Sequence, residues 1–264
     1  MTLRFFFFSL LIAFGSRAQD LLEFSPESGV HEGLKKISIQ VPEQVKVYFT
    51  DNGSQPTVNS TQLKKGSLSI NRNTAYRFLV IGKNDTVETT KTYIVDRAHD
   101  LPVFSIITDS NHLFNPISGM YMKGPDASPE KPYKGANFWK NWEKPVQVAF
   151  INEDNHQVTD QKAGLQMFGG FSMAMPQKSF ALYARTKYGD NRFKYPFFHN
   201  RPFKQYKDLV LRNGGGDMQG AHIRDAFASS LVESTGLLVQ AYQPVAVYIN
   251  GVYWGKYNLR EKIN

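Results

Sequence analysis

Between Gly164 and Lys187 a glycine-rich turn, Phe168-Gly169-Gly170-Phe171-Ser172, stands ahead of a strand-like run that opens on Lys178. Glycines in such a turn let backbone amides approach an anion closely, and a lysine on the returning strand neutralises it. The spacing therefore points to phosphate handling by Gly169, Gly170, Ser172 and Lys178; the competing reading is an ordinary hairpin with a surface lysine. A second group of polar residues follows Gly214-Gly215-Gly216. Asp217 is placed to cap a helix, Ile223, Ala226, Phe227 and Leu231 recur as one apolar stripe, and Gly236 stands where a C-cap is expected. The pattern predicts a helix over 218–234 that carries Asp225 beside Arg224 and Glu233 at the stripe's edge. Either acid can orient a cleft lysine, or Arg224 can simply pair with a neighbouring acid.

The elements that must position these residues are mostly strands. Val245–Ile249 and Tyr253–Leu259 flank Asn250-Gly251, a strong hairpin signal. Aromatic residues in such a hairpin, Trp254 among them, usually pack a core; a carbohydrate-stacking patch is the alternative. Val103–Ile107 is apolar without alternation, which predicts a strand covered on both faces. Asp109–Leu113 reads as a capped helical turn, Gly119–Gly124 as a short strand, 125–137 as an exposed loop and Lys144–Ile151 as a strand. In 152–160 the carboxylates Glu153, Asp154 and Asp160 raise a calcium reading, but they lack the spacing of a known loop and fit a solvated hairpin better. Up to residue 97 short β-branched and aromatic runs alternate with Pro, Gly, Asn and Asp clusters, predicting a small β-sandwich over 20–97. Arg97–Pro102 reads as the linker to a second domain over 101–264.

Several phrases, in order, resemble the CotH family of spore-coat-type atypical protein kinases: LPVFSIITDSNHLF from Leu101, GMYMKG from Gly119, PQKSFALYAR from Pro176, LVLRNGGGD from Leu209 and VAVYINGVYWGKYNLREKI from Val245. Gln177 departs from a first lysine often found there, and Gly169-Gly170 from an Arg-Gly pair. The phrases FSPESG and VYFTDNGSQPT resemble the immunoglobulin-like module at the C-terminus of chitobiase and β-hexosaminidase enzymes, a non-catalytic spacer there; Asn52 intervenes in its turn.

The resemblance implies an α+β fold, with the sandwich followed by a kinase-like N-lobe, an antiparallel sheet with a packed helix. It implies ATP and Mg2+ as cofactors, Lys178 as the phosphate contact, Asp225 or Glu233 as its orienting acid, and a hinge over Arg260–Ile263, where Glu261 and Ile263 meet the adenine. The implied reaction is phosphorylation of Ser or Thr in secreted or surface proteins. The alternative is a non-catalytic surface-binding or assembly protein with a kinase-like fold. In the family the magnesium carboxylates come from a larger lobe after the hairpin. The chain to Asn264 is accordingly expected to be a C-terminally truncated product, inactive by itself.

Composition narrows the setting. Lys and Arg number 31 against 23 Asp and Glu, a net charge of +8, but the lysines are spread singly and form no run suited to nucleic acid. Cysteine is absent, which excludes disulfides and thiolate metal sites. At the N-terminus Arg4, the apolar run Phe5–Phe14 and the small residues up to Ala18 read as an export signal over 1–18. No later run is long enough to span a membrane, so a secreted or cell-surface protein is expected.

Overall fold

The computed structural model describes residues 22–218 and 220–263. The export signal read at 1–18 lies outside them. Eight strands build the N-terminal unit: β1 (Glu23–Ser25), β2 (Gly29–Val30), β3 (Lys36–Gln40), β4 (Lys46–Thr50), β5 (Thr61–Gln62), β6 (Ser67–Ser69), β7 (Thr74–Ile81) and β8 (Thr86–Ile94). They form a three-stranded sheet, β1-β3-β6, and a five-stranded sheet, β2-β8-β7-β4-β5. Alternation decides which side chains turn inward. In β3, Ile37 and Ile39 are buried between exposed neighbours, and in β7, Tyr76, Phe78 and Val80 are buried while Arg77, Leu79 and Ile81 are half-buried. Together with Phe24, Val47 and Tyr93 they fill the space between the sheets, as the sandwich reading requires.

The second unit comprises β9 (Val103–Ile107), α1 (Ser110–Phe114), β10 (Lys144–Ile151), β11 (Gln157–Phe168), β12 (Ser179–Tyr183), β13 (Asp208–Arg212), α2 (Arg224–Val232), β14 (Gln243–Ile249) and β15 (Val252–Glu261). Its seven strands close into a barrel in the order β10-β11-β12-β13-β15-β14-β9. β9 is buried at every position because it lies inside the barrel wall, antiparallel to β10 and parallel to β14. The wall is thus a closed barrel with one parallel pair, where the sequence led us to expect an antiparallel sheet. Gly119–Gly124 forms turns rather than a strand: Met120 N bonds His112 O and Tyr121 N bonds Leu113 O, closing the segment back onto α1.

The expected packed helix also takes a different form. α2 is shorter than 218–234 and has no buried residue; Ile223, Phe227 and Leu231, three members of its apolar stripe, are 49%, 60% and 64% exposed. Its attachment is polar. Asp217 Oδ2 accepts from Arg224 N at 3.0 Å, and a short 3-10 turn, Glu233–Thr235, leads to Gly236 at φ 79°.

The two units share a buried junction. Val30 and Ile94 of the sandwich pack with Val103, Ile151, Ala246 and Tyr248 of the barrel. A buried hydroxyl pair, Thr92 and Ser105, bonds at 2.9 Å across the boundary. The linker is pinned too: Arg97 bonds Glu32 and Asn155, and His99 bonds Tyr248 and stacks on Tyr253. No helix among the described residues is long and apolar enough to cross a membrane.

Candidate functional site

Strand alternation sorts the candidate residues onto two faces of the barrel wall. Phe180 and Leu182 of β12, Leu209 and Leu211 of β13, and Tyr257 and Leu259 of β15 fill the interior. Their alternates, including Arg212 on β13 and Asn258 and Arg260 on β15, therefore stand on the outer face. There Asp225 Oδ2 lies 3.3 Å from Arg212 Nε and 3.1 Å from Arg260 Nη2. Arg212 pairs with Asn258 in the β13–β15 ladder, and Val210 with Arg260, so the two guanidinium groups come from adjacent strands beneath one helix turn.

Arg260 is the unusual member. It is only 1% exposed, and burial pulls its pKa down while Asp225 opposes the shift. Its Nε and Nη2 are buried and make no hydrogen bond, so the 3.1 Å approach to Asp225 is a charge contact without hydrogen-bond alignment. Four further buried polar atoms, on α2, on the segment leading into it and on β15, have no hydrogen-bond partner: Asp217 Oδ1, His222 Nδ1, Asp225 Oδ2 and Asn258 Oδ1, although both carboxylates have charge contacts with arginines. Buried polar groups are rarely left unpaired, and a cluster of them is a usual mark of a functional site. Burial, with Lys256 nearby, lowers the His222 pKa and favours its neutral ring, whereas the Arg224 amide and guanidinium hold the Asp217 carboxyl below its ordinary range.

Lys178 faces the other way. It keeps the parity of Phe180 and is 6% exposed at the mouth of the barrel interior. Its Nζ donates to Met173 O at 2.7 Å and to Met175 O at 2.6 Å, and lies 4.3 Å from the Phe138 ring centre. Burial and then the Lys123 charge lower its pKa to about 8. No carboxylate pairs with it among the described residues. Gly169 and Gly170 sit in an exposed turn at φ 121° and −106°. Ser172 follows in a 3-10 turn whose carbonyl accepts from Met175 N. Lys178 thus holds this turn from beneath.

The remaining candidates are dispersed. Glu233 bonds Arg201 Nη1 at 2.7 Å and Asn200 at 2.9 Å, away from Lys178. Glu261 accepts from Arg201 Nε at 2.8 Å and from Ala241 N at 2.9 Å, and its main-chain carbonyl is taken by Gln240 Nε2. Ile263 is exposed. Of the turn acids, Glu153 reaches Gln243 and Asp154 reaches Asn152, while Asp160 lies apart from both against Thr90 and Gln147. Trp254 packs on Phe114 and Tyr121 at 5.3 Å each, as a core residue does.

Sequence reasoning missed Arg212, and it placed Arg260 only in the hinge segment, not in a charge cluster. The signal was present: each falls at an outward position of a strand whose inward positions are apolar, and Arg212 is followed by Asn213 and the glycine run that leads to the helix.

Residues 165–264 match the family described as CotH kinase protein, and residues 26–92 match the chitobiase/beta-hexosaminidase C-terminal domain. The order of the two is the one read from the sequence. The second segment marks a kinase-like protein, and the α2 face lies wholly within it. No curated protein matches the chain.

Proposed function

We propose that this protein is an exported CotH-type protein kinase, transferring the γ-phosphoryl group of ATP to serine or threonine of secreted or surface proteins, and that the outer face of β13 and β15 beneath α2 handles the nucleotide. The supporting observation is the Arg212–Asp225–Arg260 cluster. In protein kinases a basic residue on a strand is held by an acid on the following helix, so that its charge faces the phosphates. Here Arg212, on the strand that enters α2, has that relation to Asp225, and Lys178 does not. A guanidinium group gives a planar fork of donors suited to phosphate oxygens, and Arg212, 39% exposed at its side chain, can offer that fork while the buried Arg260 holds Asp225 from beneath.

ATP would be held through Arg212, with Asp225 and the buried Arg260 keeping it in place, and would supply the group transferred. The segment from Glu261 to Ile263 adjoins this face and is the candidate for the adenine end. The described residues do not fit Mg2+ in the same way, since no group of three or more His, Asp or Glu among them is placed to hold a metal ion.

Calorimetric titration of ATP into the protein tests the assignment. Arg212→Met should weaken binding at least about tenfold, ~1.4 kcal/mol, while Lys178→Met leaves it within about twofold. The reverse pattern would return the phosphate site to the glycine turn. Transfer of radiolabelled γ-phosphate to a Ser- or Thr-containing acceptor tests the enzymatic step, and absence of transfer from the protein with its metal supplied would favour the non-catalytic reading.

A further inference from the structure

Where the sandwich meets the barrel, a cleft of about 300 Å³ opens between β7 of the first unit and the start of α1, β10 and β11 of the second. Six of its nine lining residues fall between the two family matches, so neither match accounts for it. Close backbone contact sets its shape. A Cβ on Gly53 would lie 2.2 Å from Thr108 O, and the Asn250 amide holds both Thr108 N and Thr108 O at 2.9 Å. The same turn fixes Arg77, whose Nη1 donates to Gly53 O at 3.1 Å and whose Nη2 donates to Gln55. Lys162 lies beside it, because Glu88 Oε2 is 3.9 Å from Arg77 Nη2 and 3.3 Å from Lys162 Nζ.

A second group in the cleft consists of acceptors. Asp109 uses one carboxylate oxygen to accept from Asn111 N at 2.8 Å and forms no salt bridge among the described residues. Thr108 donates its one hydroxyl hydrogen to Pro145 O at 3.0 Å, so its oxygen accepts from His112 Nδ1 at 2.9 Å. Burial favours the neutral His112 ring, whose lone pair then lies on Nε2, the edge away from Thr108. Asp109 is near enough for its charge to act on both Arg77 and His112.

We propose that this cleft binds a free α-amino acid as its zwitterion, the carboxylate toward Arg77 and Lys162 and the ammonium toward Asp109 and His112. Charge balance selects that ligand. The charges of Arg77 and Lys162 are offset by those of Asp109 and Glu88, so a net anion or a net cation meets repulsion as well as attraction, whereas a zwitterion satisfies both groups. Bonding capacity remains for it. An ammonium has three N–H groups and a guanidinium five; Lys162 spends one on Glu88, and Arg77 spends one each on Gly53 and Gln55. His112 Nε2, an acceptor, suits the ligand's ammonium and not its carboxylate. The volume is that of a site for a small molecule. The cleft shares no residue with the Arg212–Asp225–Arg260 cluster and does not rest on the kinase reading.

Calorimetric titration of L-alanine into the whole chain, beside propionate and ethylammonium, which keep one pole each, tests the proposal. L-Alanine should bind at least about tenfold tighter than either, since each control leaves one charged group unpaired. Asp109→Asn preserves the helix cap and removes the charge, so L-alanine should weaken at least about tenfold while propionate does not weaken. Lys162→Met, at an exposed position, should weaken L-alanine and leave ethylammonium unchanged. Arg212→Met should leave L-alanine unchanged, which separates this outcome from failure of the nucleotide site. Equal affinity for L-alanine and propionate, or indifference to Asp109→Asn, would overturn the proposal. So would a failure of L-alanine, L-leucine and L-glutamine alike to bind, or glucose binding as tightly as they do.

Discussion

The junction between sandwich and barrel and the face beneath α2 are built on opposite terms. At the junction apolar side chains interlock and the buried hydroxyls of Thr92 and Ser105 satisfy each other. Backbones also press close: a Cβ on Gly53 would lie 2.2 Å from Thr108 O, and one on Gly251 would lie 2.7 Å from Thr74 Cα. Beneath α2 the apolar residues face outward, and the inward contacts are charges and unpaired polar atoms. The first region holds two units in one arrangement. The second gives up apolar packing for charge, the trade-off that the proposed nucleotide role would require.

Glycines give the sharpest test of that contrast. Gly251 and Gly236 have nearly the same backbone, φ 83° and 79°, but a Cβ on Gly236 would meet nothing within 4 Å. Gly236→Ala therefore carries only the left-handed backbone penalty, about 1 kcal/mol. Gly251→Ala adds a backbone clash with the sandwich, for a total of about 3 kcal/mol. Thermal unfolding should show the larger loss at Gly251; equal losses would mean that the junction yields easily.

Next in size is Asp225→Asn. Removing one partner of a buried ion pair is costly because the other charge remains. Asp225 is itself partly exposed, so we expect about 2 kcal/mol rather than the full cost of a buried pair. Arg260→Met in the same chain should recover most of the loss, since it removes the stranded charge. Failure of that recovery in urea unfolding would show that Arg260 contributes through packing instead.

Much of this architecture was readable in advance, for physical reasons that differ by element. The Asn250-Gly251 turn and its strands were legible because left-handed turn residues and alternation are local properties. β9 was legible because a five-residue apolar run has no other place than a covered wall. The faces were not legible. Whether Lys178 meets a helix acid depends on the parity of β12 relative to β13 and on which side α2 lies, and neither is local. Asp160 shows the same limit. It reads as one more acid after a polar turn, yet it is a junction residue, bonded to Thr90 of the sandwich at 2.8 Å and to Gln147 of the barrel.

That position gives a pH dependence. Burial, the dominant cause, raises the Asp160 pKa above its ordinary value of 3.8, while bonds from Gln147 and Thr90 partly oppose it. The folded chain then binds this proton more readily than the unfolded chain. The stability contribution of Asp160 falls as pH rises from about 3.8 through the raised value, and the burial penalty is complete above it. Asp160→Asn should raise the Tm at neutral pH by roughly 2 °C, with the gain vanishing below the ordinary carboxylate range. A gain that persists under acid would assign it to packing, and a loss at neutral pH would show that the bonds to Thr90 and Gln147 outweigh burial of the charge.

The smallest expected effect sharpens the comparison most. Phe227 and Leu231 continue a helical stripe that in most helices would face a core, yet both are largely exposed. Replacing either by serine should change stability by no more than about 0.5 kcal/mol, as at other exposed positions. At the junction, Ile151→Ala should cost about 3 kcal/mol because it empties a buried site. If Phe227→Ser lowered the Tm of the isolated protein as far as Ile151→Ala does, α2 would have to be packed in solution. The Arg212–Asp225–Arg260 cluster would then sit under an apolar cover, with its charges stronger for being shielded and its phosphate role harder to reach.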